Sequence, residues 1–365
     1  MAATFRVGII GRTGKGDYGH GLDVVWKGIP QVEVVALADE HEGGRAAAVE
    51  RSGAKTAYAD YREMLAAERL DIVAVCPRWV DQHHAMCLAC AEHGCHVYME
   101  KPFCRTPAEA DEIVRAFEMR HLKLAIAHVN RYSPQLAIAR KLIEAGEIGT
   151  LLELRARGKE DARGGGEDLW VLGTHMLDLM RVFAGDPTSC YARMSENGQP
   201  VTRAHVRDGN EGLGPLAGDA IDALFTFPQN VHGWFASHRG QQGQPTRFGL
   251  RVYGSKGVIE LQSGYLLPAY LLKDSSWSPG RSGVQWQPIS SNGVGKPETQ
   301  RDTGGGNAAA VKDLLLAIEN DRQPHSSMYD ARAAVEMVAA VFESHRAGGP
   351  VTLPLETREN PLGLL

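Results

Sequence analysis

Three sets of residues in this chain have the types and spacing to do chemistry. The first lies in the run Gly164-Gly165-Gly166-Glu167-Asp168-Leu169-Trp170-Val171-Leu172-Gly173-Thr174-His175-Met176-Leu177-Asp178. Acidic residues straight after a glycine triplet suit the positive end of a helix. On that helix His175 and Asp178 are i,i+3 neighbours and share a face. A histidine that titrates near neutrality is a natural base for removing an alcohol proton, and Gly173 leaves space beside it for a ligand or a close backbone. The second set is Glu100-Lys101-Pro102, at the end of a strand-like run. There Pro102 fixes the backbone that aims the Lys101 amine, a cation suited to a developing alkoxide.

The third set binds rather than reacts. Between the first strand and the next element the chain reads Gly11-Arg12-Thr13-Gly14-Lys15-Gly16-Asp17-Tyr18-Gly19-His20. Glycines in such a turn let backbone N–H groups approach a pyrophosphate, and a following helix adds partial positive charge. Gly14-x-Gly16-x-x-Gly19 matches the dinucleotide fingerprint but starts three residues after Gly11, so the loop is longer than the compact form. A P-loop is excluded, because Asp17 and Tyr18 follow Gly16 where Lys and Ser or Thr are required. The second strand ends at Asp39, whose carboxylate can accept both ribose hydroxyls of an adenosine and would repel a 2′-phosphate. Asp39 therefore favours NAD over NADP, with Arg45 close by in sequence working against that preference.

These residues need elements to position them, and the pattern supplies two kinds. Short apolar runs at 5–10, 32–38, 71–75, 96–99 and 122–126 alternate with helical stretches near 20–28, 42–52, 60–68, 81–93 and 107–120. That alternation predicts a doubly wound parallel sheet buried on both faces, with ligands beyond the carboxyl ends of its strands. After residue 150 the runs 151–159, 220–227, 231–238 and 247–253 alternate apolar and polar residues, as an antiparallel sheet with one wetter face does. Helices are predicted over 133–145, 168–184, 307–320 and 329–346, and long loops over 196–218 and 274–306. The expectation is an α/β domain over 1–126 followed by an α+β domain over 127–365, the latter with a mostly antiparallel sheet.

Composition narrows the class. The chain has 365 residues, 43% of them hydrophobic and 23% charged, with 39 Lys and Arg against 44 Asp and Glu. A formal charge of −5 points away from nucleic acid or an anionic membrane as the main partner. No targeting segment and no membrane-spanning run is expected. Five of the six cysteines (Cys76, Cys87, Cys90, Cys95 and Cys104, with Cys190 apart) crowd into one stretch, which fits a reduced cytoplasmic protein better than a disulfide framework. His83, Cys87 and Cys90 fall on one helical face at i, i+4 and i+7 and invite a zinc reading. With no second paired cluster, packing of small side chains against a sheet is the preferred reading, and no metal is expected.

The ordered set of the glycine loop, Asp39, Cys76-Pro77 before His83, Glu100-Lys101-Pro102, Asn130-Arg131-Tyr132 with Pro134, and Gly173-x-His175-x-x-Asp178 resembles the glucose–fructose oxidoreductase/inositol dehydrogenase (Gfo/Idh/MocA) family. The resemblance extends through residues 307–355, and it implies NAD(P)-dependent oxidation of a secondary alcohol on a sugar, cyclitol or related polyol. It implies Lys101 and His175 as catalytic groups, with Asp178 beside them. Gly11, Arg12, Thr13, Gly14, Gly16, Gly19, Asp39, Pro77, His83, Glu100 and Lys101 are the candidates for the cofactor. Lys101, Arg131, Lys159, Arg163, Trp170 and His175 are the candidates for the substrate. It further implies that the doubly wound domain over 1–126 is a Rossmann domain holding NAD(P), and that the sheet of the second domain is open, mostly antiparallel, and joins copies into a homodimer or homotetramer. Val171 stands where many family members carry an Asp four residues before the histidine, so Asp178 or Asp168 takes that role or none does. Two other functions share the pattern: a lyase or glycosidase using transient oxidation by NAD, and a non-catalytic nucleotide or sugar sensor.

Overall fold

The computed structural model describes residues 4–301, 304 and 306–365. Met1–Ala3, and Asp302, Thr303 and Gly305 of the loop expected over 274–306, lie outside the described residues. The chain forms two compact units.

The first unit is built on six parallel strands, β1 (Phe5–Ile10), β2 (Val32–Ala38), β3 (Thr56–Tyr58), β4 (Ile72–Val75), β5 (His96–Met99) and β6 (Leu124–Ile126), in the order β3-β2-β1-β4-β5-β6. All four residues of β4 are buried, as a central strand covered on both faces requires. Chain order reverses between β1 and β4, so the loops at Gly11 and Cys76-Pro77 open side by side at the switch point of the sheet, where ligands of this fold sit.

The helices α1 (Glu42–Ser52), α2 (Tyr61–Ala67), α3 (His83–Glu92) and α4 (Pro107–Glu118) cover the sheet. Helix α4 illustrates why: Thr106 caps the Glu109 N–H, Pro107 starts the helix, and Ala110, Ile113, Val114 and Phe117 form one buried stripe.

No helix forms over 20–28. That segment is a chain of turns, because Gly19, Gly21 and Gly28 adopt φ of 61°, 82° and 77° and interrupt helical geometry, while Leu22 and Trp26 still bury. The glycine loop therefore has no helix dipole behind it. The first unit also takes in Asn210–Gly214 and Gly304–Val335, residues expected in the second domain. Asn307 explains part of this: its Oδ1 accepts from the Tyr98 hydroxyl at 2.6 Å and its Nδ2 donates to the His20 carbonyl at 2.9 Å.

The second unit comprises Val129–Gly209, Pro215–Thr303 and Glu336–Leu365. Its central strands neighbour one another in the order Ala269–Leu272, Gly257–Gln262, Gly249–Gly254, Leu151–Arg157, His232–His238, Ala220–Thr226 and Ser189–Glu196. Only Leu151–Arg157 with His232–His238 is a parallel pair among these neighbours. The expected long loops contain short strands: Arg207–Asp208 pairs with Pro215–Leu216, and Gln287–Ser290 extends the large sheet. One face of that sheet packs on the helix Thr174–Ala184 and on the end of the helix Met328–Ala347, where Ser344 accepts from the Ala192 N–H. Along the other face, cross-strand register lines up Tyr191, Leu224, Trp234, Arg155, Arg251, Glu260 and Tyr270.

His96, at the start of β5, ties stability to pH. Its Nδ1 accepts the Lys123 N–H at 2.8 Å, which requires a neutral ring. Burial, reinforced by the Lys123 charge against a smaller opposing effect of Asp71, lowers its pKa from 6.5 to about 4. Between those values the unfolded chain binds a proton that the folded chain refuses, so stability falls as pH drops from 6.5 towards 4. The expected contribution is about 3 kcal/mol at most. His96→Gln should show a smaller fall in urea stability between pH 7 and pH 4.5 than the parent; an equal fall would dismiss this role.

Candidate functional site

At the carboxyl ends of β1, β2 and β3 the first unit holds a cavity of 440 Å³ lined by Gly11, Arg12, Asp39, Glu40, Tyr61 and Arg62, among others. That volume is within the range of about 300–1,000 Å³ usual for ligand pockets. The glycine loop frames it in three ways. Gly14 has φ +79° and no atom within 4 Å of where a Cβ would stand, so its backbone is open to a ligand. Gly16 and Gly19 are closed: a Cβ on Gly16 would lie 2.3 Å from the Arg78 nitrogen, and one on Gly19 would meet Glu100 and the Cys76 carbonyl. Gly11 is backed by the Tyr18 ring, 2.2 Å from where its Cβ would stand. Of the four glycines, Gly14 is thus the one fitted to a phosphate, and the other three pack the loop. The residues present fit the adenosine and phosphate half of a dinucleotide.

Asp39 is occupied differently from its sequence role. Its Oδ2 accepts from Thr13 Oγ1 at 2.7 Å, the Tyr18 hydroxyl at 2.8 Å and the Thr13 N–H at 3.1 Å, and its Oδ1 from the His41 N–H at 2.9 Å. Burial and this bond to Asp39 push the Tyr18 hydroxyl far above its ordinary pKa, keeping it a donor. Arg45 donates to the Asp39 carbonyl at 2.6 Å, and Arg12 pairs with Asp81 at 2.7 Å.

At the end of β5 the Glu100 carboxylate is fully buried. It accepts the His20 N–H at 2.8 Å, contacts the His20 ring at 2.5 Å and accepts the Lys101 N–H at 3.0 Å. Burial alone would raise its pKa, but His20 and Lys101 outweigh that and hold it below the usual carboxylate range. Glu100 is therefore an anchor, and Lys101, only 6% exposed, projects from a fixed backbone. His83 is likewise structural. With both ring nitrogens it reaches main-chain carbonyls, Nδ1 that of Pro102 at 2.8 Å and Nε2 that of Pro77 at 2.7 Å, so it ties the loops after β4 and β5 together.

In the second unit the helical run around His175 begins with Gly166–Asp168, widens into a π-helical turn over Leu169–Gly173, and continues as Thr174–Ala184. The glycine triplet serves packing: Cβ atoms on Gly164, Gly165 and Gly166 would lie 2.2–2.3 Å from the backbone of Arg239, Gly218 and Ala217. Gly173 does not open space for a ligand; the Phe235 ring fills it, 2.9 Å from a Cβ there.

The π turn also bears on Val171. Val171 lies inside that turn and is 4% exposed, a buried apolar residue four positions before His175. Asp178 is held by the Arg131 fork, with Nε–Oδ2 and Nη2–Oδ1 both 2.8 Å. Asp168 is buried two turns back, its Oδ2 accepting from Ser237 at 2.5 Å and the Glu160 N–H at 3.0 Å; burial raises its pKa against those bonds.

The substrate candidates separate. Trp170 is 1% exposed and packs on Phe342, so it is a core residue and no platform for a sugar face. Arg163 forms a fork with Asp161, holding that carboxyl down at about 2, and Lys159 is exposed 3.5 Å from the same acid. Arg131 reaches the His175 helix through its fork on Asp178, three residues after His175. Sequence reasoning passed over Glu40, Tyr61 and Arg62 in the cavity wall; the adjacent acids Asp39 and Glu40 were the one available signal. Among the described residues no group of three or more His, Cys, Asp or Glu is placed to hold a metal ion, and burial pushes the Cys87 and Cys90 thiols well above their usual pKa.

Comparison with known proteins decides the lineage. Residues 5–128 match the model of an oxidoreductase family with an NAD-binding Rossmann fold, and residues 140–353 match that family's C-terminal alpha/beta domain. The chain belongs to the Gfo/Idh/MocA oxidoreductase family. Within that family it is 24% identical to a D-apiose dehydrogenase from Paraburkholderia graminis, over 92% of this chain and 87% of that one. It is also 24% identical to a levoglucosan dehydrogenase from Pseudarthrobacter phenanthrenivorans, over 63% of this chain and 65% of that protein, just under two thirds of its length. A solved levoglucosan dehydrogenase in complex with NADH and levoglucosan has the same fold, with a TM-score of 0.78 at 20% identity over 96% of this chain and 100% of that one.

Proposed function

We propose that this member of the Gfo/Idh/MocA family is an NAD-dependent dehydrogenase of a sugar, cyclitol or related polyol. The observation that carries the reading is Lys101, nearly buried at the carboxyl end of β5 with its backbone held by Glu100. Relatives named as dehydrogenases of D-apiose and levoglucosan favour the same substrate class. The family's NAD-binding domain, the open Gly14 backbone and the 440 Å³ cavity support a dinucleotide over the segment 1–126, with 127–365 for substrate and assembly. Bound nicotinamide supplies the hydride acceptor. Lys101 then places a positive charge beside the substrate oxygen as it becomes an alkoxide, and His175 takes the hydroxyl proton. Arg131 and Asp178 keep the face of the His175 helix in place. Six cysteines, all buried and unlinked, fit a reducing cytoplasm, and the reading requires neither nucleic acid nor membrane. No helix among the described residues is long and apolar enough to cross a bilayer.

The open face of the large sheet is the proposed contact between copies. Trp234 is 40% exposed and Tyr191 37%, and both lie in one cross-strand row with Tyr270 and Arg155. A homodimer or homotetramer would cover such a row. Sedimentation of Trp234→Glu should show a smaller species than the parent; a parent that is monomeric at micromolar concentration would dismiss the contact.

Turnover is tested by NAD⁺ reduction at 340 nm across a panel of aldoses, inositols and anhydrosugars. Lys101→Ala and His175→Ala should each lower kcat by about 100-fold or more while the NAD⁺ dissociation constant measured by calorimetry changes little. Unchanged turnover in either variant removes that residue from the chemistry. NAD that co-purifies without any release of NADH would favour an elimination that uses transient oxidation.

A further inference from the structure

The residue that reads the adenosine ribose need not be the one that ends β2. Asp39 is 2% exposed, and its carboxylate already accepts from four protein donors: Thr13 Oγ1, the Thr13 N–H, the Tyr18 hydroxyl and the His41 N–H. A carboxylate offers about four lone-pair positions, so these donors fill it. Glu40, the next residue, is exposed, lines the same 440 Å³ cavity, and has no hydrogen-bond or ion-pair partner among the described residues. We propose that Glu40 accepts the ribose hydroxyls and sets the preference for NAD over NADP, while Asp39 is a positioning residue that clamps the glycine loop through Thr13 and Tyr18. This inference rests on the cofactor reading above.

The cavity's charges make the assignment discriminating. Arg12 also lines it, but its guanidinium is paired with Asp81 at 2.7 Å. Arg62 lies over the Tyr61 ring at 4.5 Å, with Asp60 at the looser distance of 3.8 Å. Arg62 is thus the cation with capacity for a 2′-phosphate, and the Glu40 charge opposes that phosphate's entry. Removing the Glu40 charge takes away an acceptor for two hydroxyls and a repulsion against the phosphate in one step, so the two nucleotides respond in opposite directions.

Calorimetric titration with NAD⁺ and with NADP⁺, run beside thermal unfolding of the nucleotide-free protein, separates the roles. Glu40→Gln should leave the unfolding temperature of the free protein unchanged, weaken NAD⁺ about tenfold and tighten NADP⁺ by a similar factor. Asp39→Asn should lower the unfolding temperature of the free protein and weaken both nucleotides by the same factor, leaving their ratio as in the parent. Tyr18→Phe, which removes one donor and keeps the ring, covers the case in which Asp39→Asn does not fold; its nucleotide ratio should also match the parent. A ratio that moves in Asp39→Asn or Tyr18→Phe but stays fixed in Glu40→Gln returns the ribose contact to Asp39 and overturns the proposal, while NAD⁺ binding by the parent keeps the cofactor reading standing. A parent that binds neither nucleotide overturns both.

Discussion

The buried carboxylate of Glu100 is the constraint on which the first unit depends. A charge with no access to water is tolerated only when it is fully hydrogen-bonded, and here His20 and the Lys101 N–H supply those bonds. Hydrogen bonds to a charged group contribute about 1.5–3 kcal/mol each, so the turn after β1 and the end of β5 are fixed by one side chain. The cost is steric. Gly19 must approach so closely that any Cβ there would lie 2.5 Å from Glu100. The positive φ of Gly19 and the turns that follow it then replace the helix usual behind such a loop. What remains for a phosphate is the open backbone of Gly14.

A comparable economy governs the second unit. Asp178, 1% exposed at its side chain, is neutralised by the Arg131 fork, with Arg181 at 3.8 Å. The wide turn over Leu169–Gly173 sets the rotation of the helix that carries His175, and the glycine triplet before it lets the segment lie directly on the backbone of residues 217–219 and 238–239.

Much of this was readable from residue order. Short apolar runs ending at Gly11, Asp39, Cys76 and Glu100 specify parallel strands, and β1, β2 and β5 fall at the residues those runs mark. Helix α1 also falls on the expected 42–52. The errors share a cause. The pattern over 20–28 has helical residues, but three glycines with positive φ override local propensity once Gly19 is pressed against Glu100. Trp170 and Gly173 look like parts of a pocket until Phe342 and Phe235 are seen against them. The filling of Asp39 depends on Tyr18, twenty-one residues earlier, whose hydroxyl reaches it only through the folded loop. Local spacing carries strand, cap and motif; it does not carry which donors and rings converge from far along the chain.

The proposed function stands on hydride transfer from an alcohol carbon to nicotinamide. The most direct measurement uses a polyol accepted in turnover, deuterated at the oxidised carbon, with NMR of the NADH released. One deuterium is expected at C4 of the dihydronicotinamide for each substrate molecule oxidised. Label lost to water, or product formed with no deuterium in the nucleotide, would contradict it.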